Sequence, residues 1–198
     1  MTNKGEKTRQ RLLLAMVDKL QTHGYTGTGL NDIVAAAEAP RGSLYFHFPN
    51  GKEQLAAAAV DLAAAVIRDQ LDASCRGATS PGEVVEFAAR AFGDVLQGSD
   101  FQKGCPVTAV AATIGEKTPD LQRACAQAFD SWTVTLASHL MRTRVPEARA
   151  RALAQTGLAG VEGALIMARA QRSLAPFHAA VALQAALAED ALREADDA

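Results

Sequence analysis

The segment T-G-T-G-L-N-D-I-V-A-A-A-E-A-P-R-G-S-L-Y-F-H-F-P-N-G-K, residues 26–52, decides how this chain folds. Apolar residues recur in its first part at spacings of three and four, which predicts a helix with one buried face. The residues of that face are Leu30, Ile33, Val34 and Ala37. The helix should end at Ala39, because the residue before a proline is disfavoured in helical geometry.

A second, very short helix is predicted over residues 41–46, with Pro40 in its first turn. It is too short to be stable alone and must be held by its neighbours. Its surface carries polar or charged side chains, Arg41, Ser43, Tyr45 and His47. A short, polar-tipped helix braced by other helices is typical of a helix-turn-helix unit that enters the DNA major groove.

The run L-N-D-I-V-A-A-A-E-A-P-R-G-S-L-Y-F-H-F at residues 30–48, followed by K-E-Q-L, resembles the TetR family of transcriptional regulators. Three residues, Pro49, Asn50 and Gly51, separate the two parts, where most of the family has two. The resemblance implies a homodimeric repressor that binds a palindromic double-stranded DNA operator. It also implies that a small-molecule effector releases the operator.

Seven residues are candidates for DNA contacts: Thr28, Arg41, Gly42, Ser43, Tyr45, His47 and Lys52. Arg41 suits a bidentate contact to guanine, and Ser43 also lies where side chains reach base edges. Gly42 lets the backbone approach the duplex closely. Tyr45 has a polar tip that suits phosphate, although a half-buried packing role is the alternative.

The remaining candidates belong to phosphate positioning. His47 suits a phosphate contact or an ordinary surface role, and Lys52 begins the next helix, where backbone N–H groups also favour an anion. The hydroxyl of Thr28 is expected to cap the first helix of the motif, to contact a phosphate, or both. Three apolar residues of the short helix and its end are expected in the core: Leu44, Phe46 and Phe48.

The composition indicates an all-α protein, because alanine dominates, aromatic residues make up 5%, and no alternating β-branched run occurs. We expect a three-helix DNA-binding head over residues 1–51 and a six-helix ligand-binding and dimerisation body over 52–198. The net charge of −2 excludes a generally basic nucleic-acid binder. However, the first 55 residues hold seven Lys or Arg and five Asp or Glu, as a local DNA footprint requires.

Other classes of protein lack support. No Gly-rich phosphate loop, metal-ligand cluster or nucleophile–base motif is present, so we expect no enzyme activity, cofactor or metal. No signal core or membrane-spanning apolar run is found. The three cysteines are odd in number and far apart, which matches neither a disulfide framework nor a metal site and favours a reducing cytoplasm: Cys75, Cys105 and Cys125.

The last two predicted helices suit pairing with a second copy of the chain. Glycines at positions 157, 160 and 163 allow another helix to come close, and two such helices from each subunit would form a four-helix bundle. The alternative is a bundle within one chain. The apolar residues assigned to the interface are Leu158, Val161, Leu165, Phe177, Val181 and Leu187.

The runs G-C-P-V, L-Q-R-A-C-A-Q-A-F-D-S-W and V-E-G-A-L resemble the LmrA-like branch of TetR regulators, as does the extra glycine before Lys52. That resemblance implies a body cavity for a drug-like or aromatic molecule. The scarcity of charge among the candidate lining residues favours an apolar ligand, although most of them also suit a simple core. They are Phe87, Phe92, Cys105, Thr108, Phe129, Trp132, Glu162 and Met167.

Cys105 raises an alternative mechanism. It precedes Pro106 at a predicted helix N-terminus, where exposed N–H groups stabilise a thiolate, and Lys103 is near in sequence. Such a thiol would act as an electrophile or oxidant sensor on the same fold. The competing interpretation is a small buried group that begins a helix.

Overall fold

The structure is a computed structural model and describes residues 3–115 and 118–196. All regular secondary structure in this part of the chain is helical, which confirms the all-α prediction. None of the described helices combines the length and the apolar character that crossing a bilayer requires. The helices are α1 (Asn3–His23), α2 (Leu30–Ala36), α3 (Ser43–His47), α4 (Lys52–Cys75), α5 (Pro81–Gly98), α6 (Pro106–Ala111), α7 (Pro119–Arg142), α8 (Glu147–Gln171) and α9 (Ala175–Asp196).

These helices pack into two compact units. The first contains the described residues of Met1–Ala65 and Cys105–Ala128, and the second those of Val66–Gly104 and Phe129–Ala198. This division differs from the predicted boundary between residues 51 and 52. The reason is that α6 packs against α1, and the first half of α4 belongs to the same unit. The short helices α2 and α3 also pack against α1 and cover part of its apolar face.

The core of the first unit contains an apolar face of α1. Leu12, Met16 and Leu20 are fully buried there, together with Ile33 of α2 and Leu55 of α4. Their spacing of four along α1 places them on one side of that helix. A packed apolar face of this kind is what holds the five-residue α3 in place, because so short a helix is unstable alone.

The second unit is built mainly from α5, α8 and α9, which pack on one another. Helix α5 begins with Ser80 as N-cap and Pro81 in its first turn. The Ser80 hydroxyl oxygen accepts a hydrogen bond from the Glu83 N–H at 3.3 Å, and a Glu83 carboxylate oxygen accepts one from the Thr79 N–H at 2.7 Å. This reciprocal arrangement stabilises the helix start. The core residues include Ala89, Leu96, Val161, Ala164, Leu165, Ala168 and Phe177.

Candidate functional site

Helix α2 ends in a tight backbone turn, one turn of helix before the proline. Glu38 adopts a left-handed conformation with φ 48°. Its N–H donates to the Ala35 carbonyl at 3.0 Å, and the Ala39 N–H donates to the Val34 carbonyl at 3.1 Å. This pair of bonds is the Schellman pattern that satisfies the last carbonyls of a helix. The change of chain direction before α3 is therefore fixed by local hydrogen bonds.

Pro40 lies outside α3, so the prediction that it occupies the first turn of that helix is wrong. Its carbonyl oxygen accepts from both the N–H of Ser43 at 2.9 Å and the hydroxyl of Ser43 at 2.6 Å. These two bonds close a turn over Arg41 and Gly42, both of which are exposed. The serine hydroxyl thus fixes the start of α3, because its proton is donated to the backbone.

Gly42 is the N-cap residue of α3, with φ −74° and ψ −16°. This conformation is open to any amino acid, so the backbone does not require glycine here. A Cβ built at Gly42 would meet no atom of the described residues within 4 Å. The packing of the described residues therefore gives no reason for the missing side chain.

Helix α3 presents two different faces. Leu44 and Phe48, four residues apart, are buried, whereas Tyr45 is 59% exposed and Phe46 is 81% exposed. The expectation that Phe46 belongs to the core is wrong, because a helix that buries positions 44 and 48 turns position 46 away from them. The four-residue spacing of Leu44 and Phe48 was the signal that separates Phe46 from the core. His47 is half-buried, and its ring packs edge-to-face on Phe46 with ring centroids 5.0 Å apart.

Lys52 begins α4 and lies over an aromatic ring. Its Nζ is 4.4 Å from the centroid of the Tyr25 ring. Partial burial lowers the pKa of Lys52, and burial together with the charge of Glu53 raises the pKa of the Tyr25 phenol. The ring positions the ammonium group at a helix N-terminus, where backbone N–H groups also attract anions.

Gly51 provides the turn between α3 and α4. It has φ 74°, and its N–H donates to the carbonyl of Phe48 at 2.9 Å. A side chain in this left-handed region costs about 1–2 kcal/mol, so glycine is the residue that fits. The additional residue in this connection is thus accommodated by a left-handed turn that leads directly into Lys52.

Thr28 was expected to cap α2 or to contact a phosphate, and its position in the structure fits neither role. It is only 4% exposed, and its hydroxyl donates to the Gly24 carbonyl at 2.6 Å. The N-cap of α2 is Gly29, which makes no side-chain capping bond. The hydroxyl is therefore committed to the turn that follows α1, and neither capping nor a phosphate contact fits this geometry.

The other six predicted positions lie together on one short stretch of the first unit. Arg41 and Gly42 form the exposed turn, Ser43, Tyr45 and His47 belong to α3, and Lys52 begins α4. This stretch is exposed on one side and packed on the core by its apolar residues on the other. It combines a guanidinium, an ammonium, a phenol and an imidazole, which are donors suited to phosphates and base edges.

The second unit contains an apolar cavity of about 40 Å³ between residues of α4, α5, α7 and α8. Its lining consists only of Leu, Val, Ala, Phe and Gly residues, so no side chain there carries a polar atom. Phe92 is the predicted pocket residue that lines it. A cavity that admits benzene is about 150 Å³, so an aromatic ligand would have to displace part of this wall.

The other predicted pocket residues lie elsewhere. Trp132 is fully buried and packs edge-to-face on Phe129, with ring centroids 5.7 Å apart. Met167 is 53% exposed on α8. Glu162 belongs to the second unit and is buried there. The three further positions that do not line the cavity are Phe87, Cys105 and Thr108.

All three cysteines are buried. Burial, aided by the charges of Asp72 and Asp61 respectively, raises the pKa of the Cys75 and Cys125 thiols to about 11. Cys105 occupies the N-cap position of α6, as the sequence suggested. Its burial restricts the access of an oxidant or electrophile, which counts against the sensor hypothesis.

The predicted pairing residues are divided between an inner and an outer surface. Four of them are buried in the core of their own chain, so their assignment to an interface is corrected: Leu158, Val161, Leu165 and Phe177. Val181 is half-buried, and Leu187 is exposed. The large apolar side chains that α8 and α9 leave exposed are Ile166, Met167, Leu183 and Leu187.

Comparison with known proteins identifies both parts of the chain. Residues 13–59 match the family described as bacterial regulatory proteins, tetR family, and residues 81–184 match the C-terminal domain of LmrA/YxaF-like transcriptional regulators. The chain is 32% identical over 170 residues to the HTH-type transcriptional regulator LmrA of Bacillus subtilis, covering 86% of this chain and 90% of that protein.

Two further similarities concern the N-terminal residues and the fold. Over 49 residues, 25% of this chain and 22% of the other protein, it is 47% identical to the probable acrEF/envCD operon repressor of Escherichia coli. A crystal structure of a TetR transcriptional regulator from Chloroflexus aurantiacus is 28% identical, with a TM-score of 0.77 over 93% of this chain and 96% of that one. The chain therefore belongs to the TetR family of bacterial transcriptional regulators and has an LmrA/YxaF-like C-terminal domain.

Proposed function

We propose that this regulator is a homodimeric repressor of a palindromic operator, released when an apolar or aromatic small molecule binds the second unit. The observation that carries the proposal is the shape of α3. Leu44 of α3 and its C-cap residue Phe48 are buried. Arg41 in the preceding turn and Tyr45 and Phe46 of α3 are exposed. A helix braced in this way presents base-reading side chains without losing stability when it enters a groove.

The side chains of this stretch make different contacts to DNA, according to their chemistry. Arg41, exposed in the turn before α3, forms the bidentate contact to guanine that supplies base specificity. Lys52, held over the Tyr25 ring at the start of α4, neutralises a phosphate and fixes the register of the protein on the duplex. Tyr45 and His47 add phosphate contacts on either side of Phe46.

A palindromic operator requires two copies of α3 about one helical turn apart, which a dimer supplies. The exposed apolar side chains of α8 and α9 support pairing through those two helices. Ile166, Met167 and Leu183 are each more than half exposed, and Leu187 is exposed to a smaller degree. Gly163 of α8 is exposed, and a Cβ there would meet no atom of the described residues within 4 Å, so a second helix can approach closely.

The effector site is the apolar cavity of the second unit. Because its walls carry no polar side-chain atom, the ligand it favours is uncharged and mainly hydrocarbon. Leu71 of α4 forms part of this wall, and the same unbroken helix begins at Lys52. A ligand that enlarges the cavity therefore displaces the helix that carries a DNA contact.

Such a displacement regulates binding only if the ligand has higher affinity for the state that does not bind DNA. The sign of regulation, repression, is supported by the similarity of the N-terminal residues to the probable acrEF/envCD operon repressor. The proposal requires no contribution from Cys105.

The decisive experiment is selection of bound duplexes from a random pool by the full-length protein at low ionic strength. We expect enrichment of a palindrome, with one copy of the half-site for each subunit. Naphthalene added to the selected complex is then expected to release it, as seen by gel shift. Absence of any preferred duplex over competitor DNA would contradict the proposal, and a preferred but non-palindromic site would contradict the dimer.

A further inference from the structure

Phe46 is the most exposed large apolar side chain among the described residues, with 81% of its surface accessible. Aromatic rings normally contribute to stability by burial, so a ring left in water gives this fold little. Its recorded ring contact is edge-to-face with His47, itself only half-buried. The exposed ring therefore requires an explanation outside the packing of the described residues.

The position of Phe46 is imposed by its neighbours. Leu44 and Phe48 are both almost fully buried and anchor α3 from positions two residues before and two after. Since a helix turns by about 100° per residue, a side chain midway between two inward residues points outward. The ring is thus exposed, as are Tyr45 next to it in α3 and Arg41 in the turn before α3.

The chemistry of a phenyl ring limits what it recognises on DNA. It has no donor for a phosphate oxygen and no group for a base-edge hydrogen bond. The apolar feature of the major groove is the C5 methyl group of thymine, which phenylalanine contacts directly. We propose, on the basis of the DNA-binding function proposed above, that Phe46 is a specificity-determining residue that reads one thymine methyl in each half-site of the operator.

The experiment removes the methyl group alone. Each thymine of the selected operator half-site is replaced in turn by deoxyuridine, which keeps the base pair and all hydrogen-bonding groups. At one position we expect the affinity of the full-length protein to fall by about fourfold for each half-site, the effect of losing one methyl contact. The other thymines should tolerate the replacement.

Protein variants identify the residue that detects the methyl group. Phe46→Ala should bind the thymine and deoxyuridine operators equally. The loss of affinity from removing the ring and the loss from removing the methyl group are then not additive. Tyr45→Phe is the matched control: it removes a neighbouring hydroxyl, lowers affinity for both operators, and keeps the difference between them. Because Phe46 is so exposed, its replacement should leave the melting temperature unchanged, which excludes unfolding as the cause.

The outcomes separate this inference from the proposed function. If no duplex is preferred, the proposed function fails and this inference fails with it. If a duplex is preferred but every deoxyuridine operator binds as well as the parent, only the role of Phe46 is overturned. An undiminished penalty in Phe46→Ala overturns it too, because another residue then reads the methyl group. Insertion of the ring between base pairs, the competing mode, would show no dependence on the methyl group.

Discussion

The imidazole Nε2 of His139 lies 3.0 Å from a carboxylate oxygen of Asp72 and joins α7 to α4 within the second unit. His139 is buried, and its Nδ1 accepts from the Arg142 guanidinium at 3.2 Å. An Nδ1 that accepts leaves the proton on Nε2, so the neutral ring donates to Asp72. Leu71 and Leu140, the immediate neighbours of this pair in the sequence, line the apolar cavity.

The His139–Asp72 bond should stabilise the second unit. Asp72→Ala leaves the buried Nε2–H of His139 without its acceptor, which we expect to lower the free energy of unfolding. Urea denaturation followed by circular dichroism measures this loss. Asp69→Ala is the control on the same helix, since Asp69 is exposed and its carboxylate accepts from its exposed neighbour Arg68. Equal effects of the two substitutions would show that the buried bond contributes nothing.

The same carboxylate should contribute to the acid dependence of stability. Its hydrogen bond with Arg76, followed by that with His139, lowers the pKa of Asp72 below the ordinary 3.8. A carboxyl group with a lowered pKa in the folded state stabilises the protein above its unfolded pKa. That contribution is lost as the pH falls through the folded value.

Denaturant midpoints measured from pH 5 to pH 2 should therefore fall less steeply in Asp72→Asn than in the parent protein. Glu83→Gln should also flatten this dependence, because bonds from Thr79 lower the pKa of Glu83 in the same direction. Parallel curves for Asp72→Asn and the parent protein would exclude a contribution from Asp72.

Replacing two glycines near α3 with alanine should have different effects on stability and on DNA binding. Gly51→Ala places a side chain at φ 74°, which we expect to lower the free energy of unfolding by about 1–2 kcal/mol. Gly42→Ala has ordinary φ and open space and should be stable, yet it should weaken DNA binding because the methyl group intrudes between backbone and duplex. Thermal melts and gel shifts measure the two effects. Normal DNA binding by Gly42→Ala would contradict the proposed close approach.

Arg41 and Lys52 should differ in how they affect recognition. Arg41→Ala should cost about 1–3 kcal/mol on the selected operator and relax specificity at one base pair. Lys52→Ala should weaken specific and random DNA alike and reduce the slope of log K against log salt by about one. Binding isotherms at several salt concentrations separate the two cases. Equal losses on operator and random DNA for Arg41→Ala would remove its role in base reading.

The cysteines should be unreactive in the folded protein. Burial raises the pKa of the Cys75 and Cys125 thiols to about 11, which disfavours the reactive thiolate at pH 7, and all three cysteines are buried. Ellman's reagent should therefore react slowly until guanidinium unfolds the chain. Fast reaction of one native thiol, abolished by Cys105→Ser, would restore the sensor hypothesis for that residue.

The sequence indicated the helices well because their signals are local. The Ser80–Pro81 start of α5 and the four-residue spacing of Leu12, Met16 and Leu20 are visible without any tertiary contact. The exposed stretch from Arg41 to Lys52 was likewise recognisable from residue order. Local hydrogen bonding and helical periodicity act over a few residues, so one chain contains the information.

The burial and the hydrogen-bond partners of single side chains were harder to predict. Phe46 was expected in the core because it is apolar, but it is exposed, since Leu44 and Phe48 are the residues that turn inward. Thr28 was expected at a helix cap and instead donates to Gly24, a partner set by the turn after α1. Leu158 and Phe177 were expected at an interface and are buried against their own chain.

By itself, then, the amino-acid order determined the all-helical architecture and the family, and it picked out the stretch for which we propose DNA contacts. Only the tertiary structure decided which side of α8 and α9 is left outside and which helices share a unit. It also decided that His139 meets Asp72, 67 residues away. The physical reason is that burial depends on which apolar surfaces come together from distant parts of the chain, and helices with apolar residues on more than one side allow several such pairings.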